Sequence, residues 1–243
     1  MILGARNRTR FFKKERINMG KGIFITATGT DIGKTYVSAL LVKQLREKGI
    51  NCGYYKPVLS GAIVHGDEII LDDAQVVCST AGLKGNPIDK VTYAFEPAVS
   101  PHLAAQMEGK HIALEKIVED YEIHSKLNNF TVVEGAGGII TPLDLDIKLF
   151  MYDLPDVLRL DVIIVADAGL GTINNTFLTV DFLRRSMINV KGIILNNFDI
   201  EDIMHRDNLE VIERICEVKV LGTVATGAKR IDFMNGALEK IYE

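Results

Sequence analysis

Residues 23–36 read IFITATGTDIGKTY, and the rest of the chain is organised around them. Its opening is an apolar run typical of a buried parallel strand, and the apolar residues that follow the turn recur at helical spacing. A strand, a turn rich in glycine and threonine, and a helix that opens Gly33-Lys34-Thr35 have the layout of a phosphate-binding loop. In such a loop backbone N–H groups hold a polyphosphate, the lysine adds positive charge and the threonine hydroxyl reaches a magnesium ion. The stretch therefore predicts a nucleotide site.

The glycine spacing of this loop departs from the strict pattern. That pattern places a glycine five residues before Gly33, where this chain has Thr28, and the glycine lies at Gly29 instead. An ordinary glycine-containing turn with a surface lysine is the simpler alternative. We favour a variant phosphate-binding loop, because the strand before it and the helix after it are both present.

The composition fits a single α/β domain. The chain has 243 residues, 47% of them hydrophobic and 25% charged, which suits one mostly parallel sheet with helices on both faces. We assign residues 19–243 to one P-loop NTPase-like domain. No apolar run approaches the roughly 20 residues that a membrane-spanning helix needs, so we expect no membrane insertion. The cysteines, Cys52, Cys78 and Cys216, lack metal-binding spacing and are odd in number, which favours a reducing cytoplasm.

The first eighteen residues differ from the rest of the chain. Residues 1–18 carry six basic residues against the single acidic Glu15, and they offer little that would pack. We expect a flexible basic extension. The remainder is then more acidic than the whole-chain net charge of −4, which argues against nucleic-acid binding. A fused segment or a true start at Met19 is the favoured interpretation, and a nucleic-acid-binding arm or a transit peptide is the alternative.

A second lysine is predicted at the same edge of the sheet. Residues 50–55 are expected to form the second strand and to deliver Lys56 to its carboxyl end. Ligands of open parallel sheets bind beyond the carboxyl ends of the strands, so Lys56 and Lys34 are expected to lie together. Two lysines there indicate a polyanionic ligand. The alternative for Lys56 is a solvated charge at a strand end.

Acidic residues follow on a predicted helix. Residues 57–68 read as a loop, and a helix from about Glu68 to Ala81 carries Asp72 and Asp73. Acidic residues near a helix start are favoured by the helix dipole as well as by a metal. Both explanations of this pair stay open.

Another carboxylate lies in residues 130–138, which read FTVVEGAGG. The segment predicts a short buried strand that ends at Glu134 and then turns at its glycines. A carboxylate beside a phosphate-binding loop is placed to bind magnesium, and glycines allow backbone to approach a phosphoryl group. An acidic residue that merely begins a glycine-rich turn is the alternative.

Later strands are expected to end at the same edge. Residues 162–166 and 192–195 repeat the apolar-strand pattern, and Asn196 follows the second of them. The turn at residues 169–174, GLGTIN, precedes a predicted helix whose free N–H groups suit an anionic substrate group. The alternation of strands and helices is that of an α/β fold.

Taken in order, these segments resemble the dethiobiotin synthetase family over about residues 22–227. The segments that carry the resemblance are TGTDIGKT at 28–35, YKPV at 55–58 with Ser60-Gly61, Asp73-Ala74, SPH at 100–102, EGAGG at 134–138, GTIN at 171–174, and Asn196. Two positions depart from the family. Ala27 stands where the family has its usual first loop glycine, and Val224-Ala225 stands where an Ile-Pro pair often contacts adenine.

The resemblance implies a homodimeric carbon–nitrogen ligase of biotin biosynthesis. Such an enzyme uses ATP and magnesium to make dethiobiotin from 7,8-diaminopelargonate and CO2, with its site at the subunit interface. The implied catalytic residues are Lys34, Lys56 and Thr30, and the implied magnesium holders are Thr35, Asp73 and Glu134. The implied nucleotide-binding residues are Asp31, Ile32, Gly33, Lys34, Thr35, Tyr36, Glu134, Gly135, Ala136, Gly137 and Asn196. The implied substrate-binding residues are Thr30, Asp31, Lys56 and Ser60, with Gly171, Thr172, Ile173 and Asn174 from the neighbouring subunit.

Two other classes share this scaffold. A nucleotide switch of the partitioning or division-site type carries an extra loop lysine, which residues 27–31 lack, and the segment from Ile231 shows no basic amphipathic membrane helix. A synthetase that amidates a corrinoid acid normally has an additional glutaminase domain, for which this chain has no room. Both remain alternatives to the ligase.

Overall fold

The computed structural model describes residues 21–65 and 68–242. The predicted extension at residues 1–18 lies outside them. The strands of the described part are β1 (Lys21–Ala27), β2 (Cys52–Ser60), β3 (Ile63–His65), β4 (Glu68–Ile70), β5 (Val91–Phe95), β6 (Phe130–Gly138), β7 (Pro142–Asp144), β8 (Leu149–Phe150), β9 (Asp161–Asp167), β10 (Val190–Asn196), β11 (Val220–Val224) and β12 (Asp232–Phe233). The helices are α1 (Lys34–Glu47), α2 (Asp72–Ala81), α3 (Pro101–Met107), α4 (Leu114–Leu127), α5 (Asp153–Leu158), α6 (Thr172–Arg185), α7 (Ile203–Cys216) and α8 (Ala237–Tyr242), with a 3-10 turn at Pro87–Lys90.

Eight of these strands form one sheet in the order β12-β11-β10-β9-β1-β6-β2-β5. Strand β1 lies near the middle and pairs in parallel with both β6 and β9. Within this sheet the pairing of β11 with β12 is antiparallel, and the other pairings are parallel. The short pairs β3–β4 and β7–β8 are antiparallel hairpins outside the sheet. The predicted class, a mostly parallel α/β sheet, is confirmed.

Side chains on the two faces of the sheet form two separate cores. Along β1, Ile23 and Ile25 belong to the core beneath α1, α2 and α8, whereas Phe24 belongs to the opposite core beneath α3 to α7. This alternation follows from the two-residue period of a strand. Because both faces are covered, the strands are mostly apolar, as buried parallel strands usually are. Of the helices in the described part, none is long and apolar enough to cross a membrane.

Several predicted boundaries were wrong. Strand β2 does not stop before Lys56 but continues through Pro57 to Ser60, because it changes its pairing partner from β6 to β5 at Lys56. Strand β6 likewise continues past Glu134 to Gly138, which pairs with Ala27. The supposed loop at 57–68 therefore contains the end of β2 and part of the β3–β4 hairpin, and the helix predicted from Glu68 begins at Asp72.

Candidate active site

The phosphate-binding loop leaves the carboxyl end of β1 and enters α1 through Gly33. Gly33 is the N-cap residue and has φ 91°, in the left-handed region that favours glycine. A Cβ at this position would lie 2.3 Å from Nδ2 of Asn196, so no larger residue fits. The amide of Asn196 also donates to the carbonyl of Ile32 at 2.9 Å. The end of β10 thus fixes the loop in the shape that opens the helix.

Lys34 is folded back over this loop. Its Nζ atom donates to the carbonyl of Gly29 at 3.3 Å, and the residue is buried. Burial, together with the nearby charge of Lys56, lowers the pKa of Lys34. Lys34 therefore places a positive charge at the N-terminus of α1, where the backbone N–H groups also favour an anion.

Thr35 links two carboxylates from different parts of the chain. Its Oγ1 lies 2.9 Å from Oδ1 of Asp73 and 2.8 Å from Oε1 of Glu134. Asp73 comes from the first turn of α2, and Glu134 comes from β6 next to β1. Three oxygen-bearing side chains that could act as metal ligands therefore converge at the start of α1.

Lys56 joins the same group from the middle of β2. Its Nζ lies 2.6 Å from Oε1 of Glu134 and 2.6 Å from Oδ2 of Asp73, and the residue is 2% exposed. Burial opposes the charge of Lys56, but the two carboxylates outweigh it and raise the pKa. The pKa of Asp73 is lowered, because Lys56 and the bond from Thr35 outweigh the effect of burial. Both partners are therefore held in their charged forms.

Both carboxylate oxygens of Glu134 accept hydrogen bonds. The residue has 0% exposure, and its second oxygen, Oε2, accepts a hydrogen bond from the hydroxyl of Tyr54 at 2.9 Å. Burial and the charge of Glu134 raise the pKa of Tyr54 well above its ordinary value, so its hydroxyl remains a donor. Tyr54 was not expected at the site, because an aromatic residue in an apolar strand reads as part of the core.

These side chains line one cleft of about 400 Å³ at the carboxyl edge of the sheet. The lining residues are Thr30, Asp31, Gly33, Lys34, Thr35, Lys56, Leu59, Ser60, Asp73, Glu134, Ala136 and Gly137. Eleven of these twelve were predicted to be site residues, and Leu59 is the addition. The expectation that Lys34 and Lys56 lie at one edge of the sheet is confirmed.

Other predicted residues lie around the cleft rather than on its wall. The carbonyl of Gly135 accepts from Lys56 at 3.4 Å, and the hydroxyl of Tyr36 donates to the carbonyl of Ala228. Ile32 and Asn196 hold the loop as described above. Their predicted contacts with a nucleotide stay predictions.

The GTIN segment lies elsewhere on the same chain. Gly171 is the N-cap of α6 with φ 87°, and Thr172 is buried in the first turn of that helix. Residues 171–174 do not line the 400 Å³ cleft. Their predicted role, which places them in the site of a neighbouring subunit, stays a prediction.

The donor set of the cleft fits magnesium. Magnesium prefers hard oxygen ligands and is usually bound by one or two carboxylates together with phosphate oxygens and waters. Thr35 supplies a hydroxyl, and Asp73 and Glu134 supply two carboxylates that each lie within hydrogen-bonding distance of that hydroxyl. In the part of the chain that the structure describes, no three His, Cys, Asp or Glu residues gather into a metal site. A metal here would therefore need ligand oxygens from a bound phosphate as well.

Comparisons with known proteins agree with this geometry. A family profile described as an AAA domain matches residues 21–229. The ATP-dependent dethiobiotin synthetase BioD of Clostridium botulinum strain Eklund 17B is 44% identical over 226 residues, which cover 93% of this chain and 99% of the relative. The protein of the same name from strain Okra is 52% identical over 227 residues, with 93% and 99% coverage.

Solved structures give the fold alone, because their sequences are distant. The MinC:MinD cell division protein complex of Aquifex aeolicus matches with a TM-score of 0.51 at 15% identity, covering 92% of this chain and 86% of the other. The signal recognition particle receptor FtsY of Elizabethkingia anophelis matches with a TM-score of 0.53 at 14% identity, covering 93% and 67%. The fold is thus shared with proteins of several functions. The function follows instead from the relatives that are 44% and 52% identical over nearly their full length. The chain belongs to the ATP-dependent dethiobiotin synthetase family.

Proposed function

We propose that the chain forms the ureido ring of dethiobiotin from 7,8-diaminopelargonate, CO2 and ATP. The observation that carries this proposal is the meeting of Lys34, Lys56 and the Thr35–Asp73–Glu134 group in one cleft. Two buried cations beside a phosphate-binding loop suit a reaction in which several negative charges must be held together. Membership of the synthetase family supplies the identity of the substrates.

The reaction proceeds in three steps. One amine of the substrate adds to CO2 and loses a proton, which gives a carbamate. A carbamate oxygen then attacks the γ-phosphorus of ATP and displaces ADP, which gives a carbamic–phosphoric anhydride. The second amine attacks the carbamate carbon and expels phosphate, which closes the ring with loss of a proton. Negative charge grows on the transferring phosphoryl oxygens in the second step, so positioned cations lower its barrier.

The two lysines divide this work. Lys34, at the N-terminus of α1, faces the site expected for the β- and γ-phosphates. Lys56 lies on β2, which β6 separates from β1, and it neutralises the carbamate and the transferring phosphoryl group. Thr30, Asp31 and Ser60 line the same cleft and bind the amines or the carbamate.

Magnesium would be held by Thr35, Asp73 and Glu134. When bound, it would neutralise phosphate charge and orient the γ-phosphoryl group for in-line attack. The chain's own contribution is to keep these three side chains on one side of the loop, which the bonds from Thr35 accomplish.

The nucleobase would lie beyond the ends of β10 and β11. A second cleft there has a volume of about 530 Å³, and its lining includes Asn197, Thr223 and Ala225. Asn196 ends β10 beside this cleft and supports the assignment of the adenine to this region. Ala225 takes the place of the proline that the family often has.

A homodimer would complete the substrate site. A surface cleft of about 430 Å³ is lined by Thr28, Gly138 and residues of α6 that include Asn175, and it adjoins the active cleft through β6. Two exposed apolar side chains, Ile140 and Leu178, line this cleft together, and apolar side chains grouped on one surface support an interface. The N-terminus of α6, residues 171–174, would then reach the partner's substrate and bind its carboxylate.

The three free cysteines support a cytoplasmic enzyme. Each is buried and unpaired, as thiols are in a reducing compartment. Burial raises the pKa of the Cys52 thiol to about 12, so it stays protonated and unreactive.

The dependence of ADP release on each substrate tests the proposed activity. The purified chain is incubated with ATP and magnesium, and ADP is measured with and without diaminopelargonate and bicarbonate. We expect rapid release only when both are present. A rate of ADP release that is the same with and without the diamine would instead support a nucleotide switch.

A further inference from the structure

Tyr54 connects the apolar core with the acidic centre of the site. It lies on β2 two residues before Lys56, is 1% exposed, and points its side chain to the same face of the sheet as Lys56. Its hydroxyl donates to Oε2 of Glu134 at 2.9 Å. The phenol ring is therefore fixed by the core while its polar end reaches a carboxylate of the catalytic cleft.

The two oxygens of Glu134 have different partners. Oε1 accepts hydrogen bonds from Nζ of Lys56 at 2.6 Å and from Oγ1 of Thr35 at 2.8 Å, so it lies on the side of the proposed metal site. Oε2 receives Tyr54. A partial rotation of the carboxylate would move Oε1 away from Lys56 and Thr35 and would also break the hydrogen bond between Oε2 and Tyr54, so Tyr54 fixes the plane of the carboxylate.

The neighbouring Tyr55 provides an internal comparison. It is equally buried on the same strand, but its side chain points to the opposite face and belongs to the other core. Its hydroxyl contacts Oγ1 of Thr92 at 2.6 Å and the carbonyl of Ile117 at 3.1 Å. Replacement of either tyrosine by phenylalanine removes one buried hydroxyl, but only the hydroxyl of Tyr54 contacts Glu134. Tyr55→Phe is therefore a matched control.

We propose that Tyr54 is a positioning residue that orients the carboxylate of Glu134 toward the metal and the phosphoryl group. The proposal rests on the assignment of Glu134 to the magnesium site under the proposed function. Hydrogen bonds to a ligating carboxylate fix its orientation, and loss of such a partner typically lowers metal affinity about 10–100-fold. Sequence reasoning gave no signal for this role, since nothing in the pattern distinguishes Tyr54 from a core aromatic.

Binding of Mn²⁺ tests the proposal without reliance on turnover. Mn²⁺ is titrated into the full-length protein with ADP present, and the free ion is followed by electron paramagnetic resonance. The chains compared are the parent, Tyr54→Phe, Tyr55→Phe, Glu134→Gln, and the double variant Tyr54→Phe/Glu134→Gln. We expect Tyr54→Phe to raise the Kd for Mn²⁺ at least about tenfold and Tyr55→Phe to leave it within about twofold. Thermal unfolding shows that each variant is folded at the titration temperature.

The double variant separates positioning from a general packing defect. If Tyr54 acts through Glu134, the Tyr54→Phe change has little further effect in the Glu134→Gln background. Equal effects in both backgrounds, or a Tyr54→Phe Kd within twofold of the parent, would overturn the proposal. If Glu134→Gln itself binds Mn²⁺ as the parent does, the metal assignment fails and the role of Tyr54 fails with it. A weakened Glu134→Gln beside an unchanged Tyr54→Phe would reject only Tyr54.

Discussion

Replacement of Lys56 by methionine removes the cation that two carboxylates share. Glu134 has 0% side-chain exposure and loses an ion pair of 2.6 Å, whereas Asp73 has a side chain that is 37% exposed and is solvated by water after the loss. Breaking a buried pair from one side costs about 3–5 kcal/mol. Because Asp73 is partly compensated, we expect the low end, about 3 kcal/mol, which lowers the Tm by about 6–12 °C in a chain of this size. Turnover should fall at least about a hundredfold, because the phosphoryl group loses a positioned charge.

Thermal unfolding at several pH values measures this loss. The lowered pKa of Asp73 means that the ion pair contributes stability above the ordinary value of 3.8, and this stability is lost as the pH falls through the lowered pKa. The difference in Tm between parent and variant should therefore be largest near neutral pH and shrink in acid. The double variant Lys56→Met/Glu134→Gln should recover most of the stability but not the turnover.

A matched control is the exposed pair of Lys48 with Glu239. Its atoms lie 2.9 Å apart, and the two side chains are 52% and 38% exposed. Lys48→Met should change the stability far less than Lys56→Met does, because solvent screens an exposed pair. If Lys56→Met unfolds within about 2 °C of the parent at neutral pH, the buried ammonium is not the counter-ion that stabilises Glu134.

Three further predictions concern the metal, a buried amide and pH. Glu134→Gln removes one negative charge at similar volume, so turnover should fall about tenfold or more and excess magnesium should partly restore it; a magnesium titration with unchanged half-saturation and maximal rate would reject this. Gln44→Leu removes the side-chain amide that accepts from the N–H of Ile231 at 2.7 Å and donates to the carbonyl of Ile231 at 3.1 Å, and the loss of both buried bonds should cost about 2–5 kcal/mol; a denaturant curve that matches the parent would contradict it. The lowered pKa of Lys34 means that its charge is lost at a lower pH than that of an ordinary lysine, so ATP affinity should weaken on the alkaline side at a pH below 10.5. Lys34→Arg should remove that pH dependence, since arginine stays protonated; the same decline in both proteins would exclude Lys34 as its source.

Much of the site could be predicted because it depends on local patterns. The strand, turn and helix around Lys34 are contiguous in sequence, and a parallel sheet brings strand ends to one edge. Lys56 and Glu134 could therefore be placed beside the loop from the order of their strands and turns alone. The convergence of Asp73 on Thr35 was less certain, because acidic residues at a helix start have a second explanation in the dipole.

The predictions that failed depend on pairing between distant segments. The local signals predict that the second strand ends at Tyr55, but β2 exchanges its neighbour β6 for β5 at Lys56 and continues to Ser60. The glycines after Glu134 read as a turn, yet Gly138 pairs with Ala27 and extends the strand. Tyr54 escaped prediction for a similar reason, because its hydroxyl partner lies 80 positions away.

Incorporation of labelled carbon into the product shows whether the chain makes dethiobiotin. The purified chain is supplied with diaminopelargonate, ATP, magnesium and ¹³C-bicarbonate, and the products are examined by mass spectrometry. The proposed activity predicts dethiobiotin that carries a single ¹³C in its ureido carbon, formed in equal amount with ADP and phosphate. ADP formed without labelled dethiobiotin, or at the same rate without the diamine, would contradict it.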